Sequence, residues 1–463
     1  MEFTRRNFIK SSFVLGSSLI FSPLAFQGCS SETAPITSME PIGVAKGIHP
    51  GRVVWVWDDS ATNWEGYDSS EHWWQDDCTD FNQAKEMVSQ AIQNVAGETT
   101  DFAAWDAIFR YCNSTRGKGE VGYQSGEKIA VKINLTTCNA KSKEVDPVTH
   151  EKKPAMINNI DVAPQMVFAL LEQLVKTFGV AQEDISLGDT TAMIPDYYWD
   201  YLHPDFENIR YFDNHGGSGR IRSRFSDTPV YWSTLDAIGK LRDYLATPFA
   251  EADYIINFAV LKGHAAGFSN CGKNHYGSLI RCPDRYMRPS DPSKDPDQGS
   301  HPDYLDLHLS LFPGTRRYRA IVDLMAHPEV GGKTLLYMSD GLYSGYMWEA
   351  HPYKWKSYPF NNNWPSSLLV SLDPVAIDSV AYDFLLEEWP QIVADPGLRG
   401  AARDYLVEAA LAYDPPSGTF YDPTRSGNPT PSLGVHEHWN NARDKQYSRN
   451  LATGDGIELI KVV

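Results

Sequence analysis

Ile129-Ala130-Val131-Lys132-Ile133-Asn134-Leu135 alternates in a way that decides the fold. As a strand, it turns Ile129, Val131, Ile133 and Leu135 to one face and Ala130, Lys132 and Asn134 to the other. Val162 to Phe178 follows with helical spacing of its apolar residues, Pro164 in its first turn and Gly179 just past its end. Ile185-Ser186-Leu187-Gly188-Asp189 then reads as a second short strand and turn. Strand, helix and strand in that order predict a crossover between parallel strands. Outward from this unit, Arg52 to Trp57 is a buried strand ended by Asp58-Asp59, and Asn82 to Val95 is a helix. Tyr254 to Leu261 and Thr334 to Met338 are further strands, the latter running on to Asp340-Gly341. Leu368 to Leu372 leads into Asp373-Pro374, which opens a helix through Leu386. The pattern predicts an α/β fold, a mostly parallel sheet flanked by helices in two lobes, with the site at strand carboxyl ends. Residues 283–304 and 412–434, rich in Pro, Asp and Ser, read as long loops.

Thr4-Arg5-Arg6-Asn7-Phe8-Ile9-Lys10 has the pattern of a twin-arginine export signal. The apolar stretch behind it, Phe13 to Phe26, is too short and too diluted with Ser and Gly to span a bilayer. Gly28-Cys29-Ser30 reads as a lipoprotein processing site with Cys29 acylated. The expected organisation is a signal peptide over 1–28, a flexible tether over 29–50 and an α/β body over 51–463. The expected partner for export is the twin-arginine translocase. The expected location is the periplasm or cell envelope, with the membrane touched only through the lipid anchor.

Removing residues 1–28 takes away Arg5, Arg6, Lys10 and Glu2, so the net charge of −18 becomes −20. So acidic a chain is unsuited to gripping nucleic acid through its phosphates, and any anionic ligand needs a local basic pocket. Beyond Cys29 the cysteines are Cys78, Cys112, Cys138, Cys271 and Cys282, with no C-x-x-C pair. That spacing argues against a ferredoxin-type cluster or a cysteine-rich zinc site. No cofactor is identified by composition or spacing.

The candidate chemistry sits at strand ends. Lys132 and Asn134 are two residues apart, as are Lys262 and His264, so each pair shares a side of its strand. Gly267 to Lys273 has the spacing of a phosphate-binding loop, but Asn274 stands where the magnesium-binding Ser or Thr belongs. The nucleotide-hydrolase reading therefore falls. A turn built on Gly267, Gly272 and Lys273 can still cradle a carboxylate or phosphate on backbone amides. Asp373 before Pro374 suits a helix cap, Asp340 suits a ligand or turn residue, and Asp378 within an apolar helix calls for a basic partner. His301-x-Asp303 with Asp306-x-His308, and His436-Glu437-His438, have metal-ligand spacing but read as solvated surface, so no metal site is expected.

Lys132-Ile133-Asn134-Leu135, Leu261-Lys262-Gly263-His264, Lys273-Asn274-His275-Tyr276-Gly277, Asp340-Gly341 and Asp373-Pro374-Val375-Ala376-Ile377-Asp378 together resemble the domain of unknown function 362 family. The resemblance runs from about position 50 to the carboxyl end. It implies twin-arginine export, common among bacterial members, and no particular activity. Some members carry an iron–sulfur ferredoxin module, which has no counterpart in this chain. A shorter stretch, His264 with Gly267-Phe268-Ser269 and Lys273, is similar to one in nickel-pincer lactate racemases, although one residue shorter. That likeness implies a lysine holding a nickel cofactor.

These residues support an enzyme acting on a small anionic or polyhydroxy substrate by isomerase- or racemase-type proton transfer. His264 is the expected general acid/base, since an imidazole titrates near neutral pH. Lys132, Lys262 and Lys273 supply positive charge, Asn134 and Asn274 orient the substrate, and Asp378 holds a lysine. The alternative is a lipid-tethered binding protein for an anionic ligand or glycan, without catalysis.

Overall fold

The structure, a computed structural model, describes residues 40–138, 144–233, 242–264, 267–279, 316–347, 351–390 and 396–463. Nine strands form one sheet: β1 Arg52–Trp57, β2 Ile129–Ile133, β3 Ile185–Gly188, β4 Arg210–Asp213, β5 Ile221–Arg222, β6 Tyr254–Val260, β7 Thr334–Gly341, β8 Ser367–Ser371 and β9 Glu458–Val462. Their order is β9-β1-β8-β7-β6-β2-β3-β4-β5. Only the two pairings made by β8 are antiparallel. The fold is thus the expected α/β architecture with a mostly parallel sheet. The two lobes are not found: Ile36–Val463 is one compact unit, because a continuous sheet runs through it.

Helices cover both faces. α1 (Phe81–Ala96), α2 (Asp101–Thr115) and α3 (Pro164–Glu172) pack on the face made by Val54, Val56, Val131, Ile133, Ile256, Phe258 and Met338. α4 (Pro374–Glu388) and α5 (Pro396–Ala410) pack on the other, against Val53, Trp55, Ala259, Tyr337 and Leu369. Burial of both faces explains why β2 and β6 are apolar apart from Lys132 and Asn257 rather than alternating with solvent-facing residues. The predicted helix from Val162 begins at Pro164 and continues beyond α3 as a π-helical turn, Gln173–Phe178. Gly179 caps it at φ 89°, a left-handed conformation that glycine adopts without steric penalty. Residues 412–434 run as turns and loops, as expected, whereas 283–304 lie outside the described residues. Among the described residues no helix is long and apolar enough to cross a membrane.

The register aligns the strand ends. Trp57 pairs with Ser367 and Ser367 with Gly341, while Gly188, Lys132, Asn257 and Tyr337 form a continuous row across β3, β2, β6 and β7. The carboxyl ends of β1, β7, β6, β2 and β3 therefore open on one edge of the sheet.

Candidate functional site

Lys132, Asn257 and Tyr337 lie in register and point to one face, so whatever packs there meets all three. The one-turn helix Cys271–Asn274 and the turn His275–Ser278 pack on that row. Lys132 Nζ donates to Asp189 Oδ2 at 3.0 Å, Asn274 Oδ1 at 2.9 Å and Ile133 O at 2.5 Å. All three of its N–H groups thus have acceptors. Burial pulls its pKa below the ordinary lysine value, and Asp189 opposes that shift. Asn274 also accepts from Asn134 at 3.2 Å and donates to Asn257 Oδ1 at 2.8 Å. A Cβ on Gly277 would sit 2.1 Å from Lys132 Cε, so any larger residue here would push the Lys132 side chain out of its present position. Lys132, Asn134 and Asn274 are brought together as the sequence implied. They are spent on one another, however, and pin a loop to the sheet rather than face a ligand.

The glycine-rich turn does cradle a carboxylate, but one belonging to the chain itself. Asp378 accepts from the amides of Cys271 (3.0 Å) and Gly272 (2.8 Å) and from the Tyr405 hydroxyl (2.5 Å). This corrects the expectation that Asp378 holds a lysine. Its carboxylate is aimed from α4 at amides that the turn leaves unpaired, and no basic group is needed. Gly267 belongs to the short strand Gly267–Ser269, and Lys273 is half-buried with its ammonium 5.9 Å from the Tyr276 ring centre. Asp373 is a helix cap, accepting from Val375 and Ala376 and also from Lys46 and Val435. Asp340 accepts the amides of Ala163 (2.6 Å) and Leu342 (2.9 Å), and burial raises its pKa to about 6.

The second histidine grouping is likewise not solvated surface. His436, Glu437 and His438 are buried, because this segment runs under α4. His436 Nδ1 meets Ser379 Oγ at 2.8 Å, and His438 Nδ1 meets Asp383 at 2.5 Å. His301, Asp303, Asp306 and His308 lie outside the described residues.

Lys262 and His264 occupy a short strand, Lys262–His264, paired antiparallel with Gly267–Ser269. Its backbone is fixed on both sides: Leu261 N donates to Asp340 O and Gly263 N to Gly345 O, each at 2.8 Å. A Cβ on Gly263 would lie 2.0 Å from Tyr346 O, so that side of the strand is closed by backbone. Lys262 and His264 project to the opposite side. Lys262 is fully buried, and its hydrogen-bond partner is Ile160 O at 2.8 Å. Burial lowers its pKa from 10.5 to about 8; Asp161 pulls it up and the Lys152 ammonium pushes it further down.

The contrast with the other buried lysines is chemical. Lys132 pairs with Asp189, Lys152 with Asp161 at 2.8 Å, Lys333 with Glu329 and Lys445 with Glu387. Lys152 also donates to Thr137 Oγ1 and Asn159 O, which completes its set of acceptors. Burial works against the Lys152 charge, yet Asp161 and its other acidic neighbours hold its pKa above the ordinary value. Of the described buried lysines, Lys262 alone has no carboxylate at hydrogen-bonding distance.

Sequence reasoning missed Lys152, Asp161, Asp189 and His275. His275 was visible in the Lys-Asn-His-Tyr-Gly run. It is fully buried, neither ring nitrogen has a hydrogen-bond partner, and burial followed by Lys132 lowers its pKa to about 3. Asp189 stood in plain view after β3. Lys152 and Asp161 carry no local signal, because each is defined by the other.

Among the described residues no three His, Cys, Asp or Glu side chains are grouped so as to hold a metal ion. No curated protein and no solved structure matches the chain. The family model described as Domain of unknown function (DUF362) matches residues 129–383, a span that holds β2, the Lys132 network, Lys262, His264 and α4 through Asp383. More than half of the chain is covered, and the protein belongs to the domain of unknown function 362 family.

Proposed function

We propose that this protein is an enzyme that moves a proton on a small anionic substrate, with Lys262 and His264 as its acid–base pair and isomerisation or racemisation as the reaction class. One observation carries the reading: Lys262 is fully buried with a backbone carbonyl as its partner, whereas each of its buried counterparts among the described residues is neutralised by a carboxylate. A buried lysine without a counter-ion favours the neutral amine, which is a base near physiological pH. His264, two residues along and on the same side, supplies a second group able to carry a proton. Both lie beyond the carboxyl end of β6, the part of an open α/β sheet where ligands bind.

Proton wash-in from D2O tests this on a panel of 2-hydroxy acids and uronic acids. The expected result is deuterium at the carbon beside the carboxylate of one acid, abolished by His264→Ala and by Lys262→Met. An acid that raises the melting temperature of the native protein without exchanging a proton supports the binding-protein reading instead. A panel that neither binds nor exchanges overturns both.

The Thr4–Lys10 pattern and Cys29 support a companion proposal of twin-arginine export and lipid anchoring in the envelope. Changing Arg5 and Arg6 to Lys should leave the full-length precursor in the cytoplasm in a fractionation blot. Undiminished export of that variant contradicts the route.

A further inference from the structure

We infer that Lys262 forms an imine with the carbonyl group of a small oxo acid, so that the reaction proceeds through a covalent intermediate. This rests on the proposed function only in placing the substrate at Lys262.

The first argument is a count of acceptors. An ammonium carries three N–H donors, and leaving them unmet in the interior is strongly unfavourable. Lys132 and Lys152 each meet three acceptors, one of them a carboxylate. Lys262 meets one, Ile160 O. The neutral amine fits that environment: one N–H bond goes to the carbonyl, and a lone pair remains for attack.

The second argument is the company it keeps. Asp161, the carboxylate nearest in effect to Lys262, is committed elsewhere: it accepts from Lys152 at 2.8 Å, Thr137 Oγ1 at 2.6 Å, the Thr137 amide at 3.0 Å and the Cys138 thiol at 3.1 Å. Lys152 holds its proton more tightly than an ordinary lysine and Lys262 less tightly, an arrangement of two neighbouring cations that activates one amine as a nucleophile. Near pH 7, the shift of Lys262 from 10.5 to about 8 enlarges its neutral fraction on the order of a hundredfold over an ordinary lysine.

The third argument is rigidity. The flanking backbone bonds to Asp340 and Gly345 fix the main chain that carries the lysine, and Ile160 O holds its amine.

The step balances without an oxidant or reductant. The amine lone pair adds to the carbonyl carbon, forming a C–N bond and a carbinolamine. The carbinolamine oxygen then takes a proton, which His264 is placed to carry, and leaves as water as the C–O bond breaks. The protonated imine withdraws electrons from the neighbouring carbon and so acidifies its C–H, which joins the covalent step to the proton transfer proposed above.

Reductive trapping tests the inference on the full chain. Glyoxylate or pyruvate is added with cyanoborohydride near pH 7, and the digest is read by mass spectrometry. The expected result is a reduced adduct concentrated on the peptide bearing Lys262 and absent from Lys262→Met, with labelling that rises with pH up to about 8. Adducts confined to exposed lysines, with Lys262 untouched, overturn the imine. The two readings fail separately. Lys262-dependent exchange in D2O without an adduct leaves proton transfer standing and removes the imine. An adduct without exchange does the reverse.

Discussion

Lys262→Met should abolish turnover and, below about pH 8, yield a protein more stable than the native one. The sign follows from the two titrations of Lys262. In the folded chain its amine loses its proton at about 8, and in the unfolded chain at the ordinary value of 10.5. Between those values the unfolded state holds more protons, so native stability rises as pH climbs from about 8 towards 10.5. Below that window both states are charged and the full penalty of burying the cation is present. At 1.36 kcal/mol per pKa unit the penalty is about 3 kcal/mol, less about 1 kcal/mol for the hydrogen bond to Ile160 O that methionine loses. The variant's advantage in melting temperature should therefore be largest at neutral pH and fade as alkaline pH neutralises the native lysine. Gain of stability with loss of activity marks a side chain retained for chemistry. A variant less stable than the native protein at pH 7, by calorimetry, would show that Lys262 is structural.

Asp189→Ala should have the opposite signature. Removing this carboxylate leaves the Lys132 ammonium, 1% exposed, with only Ile133 O and Asn274 Oδ1, and deprives the Leu135 and Thr191 amides of their acceptor. Breaking a buried ion pair from one side typically costs about 3–5 kcal/mol. The urea midpoint should drop accordingly, and Lys132→Met in the same chain should restore part of the loss, since the stranded charge is then gone. A change below about 1 kcal/mol for Asp189→Ala would mean that the Lys132 network does not anchor the loop at residues 271–278. Together the two variants separate a lysine that holds the fold from a lysine held ready by it.

That separation was hidden in the sequence. Lys132-Ile133-Asn134 and Lys262-Gly263-His264 display the same device, a lysine and a polar residue two apart at a strand end, and local reading treats them alike. What distinguishes them is supplied from afar: Asp189 reaches Lys132 from the next strand, whereas the carboxylate nearest in effect to Lys262 is already taken by Lys152. The strands and helix limits were legible because their signals are local. Alternation marked β2, Pro164 and Gly179 bounded a helix, and Asp373-Pro374 opened α4. The antiparallel insertion of β8 and the pairing of β9 with β1 depend on contacts between distant segments, and no period announces them. Asp378 reads from sequence as a carboxylate in need of a basic partner, and the described residues give it none. Its partners are backbone amides, which leave no mark in the sequence. His436-Glu437-His438 looked solvated beside a Pro-rich loop, yet packing beneath α4 buries all three.

The central claim, that the Lys262 amine is poised to react, is tested most directly by its own titration. With 13Cε-lysine incorporated and the Lys262 resonance assigned by its disappearance in Lys262→Met, the shift is followed across the alkaline range. A midpoint at about 8 is predicted. A midpoint at the ordinary 10.5 would mean a charged, paired ammonium and would contradict both the acid–base and the covalent role.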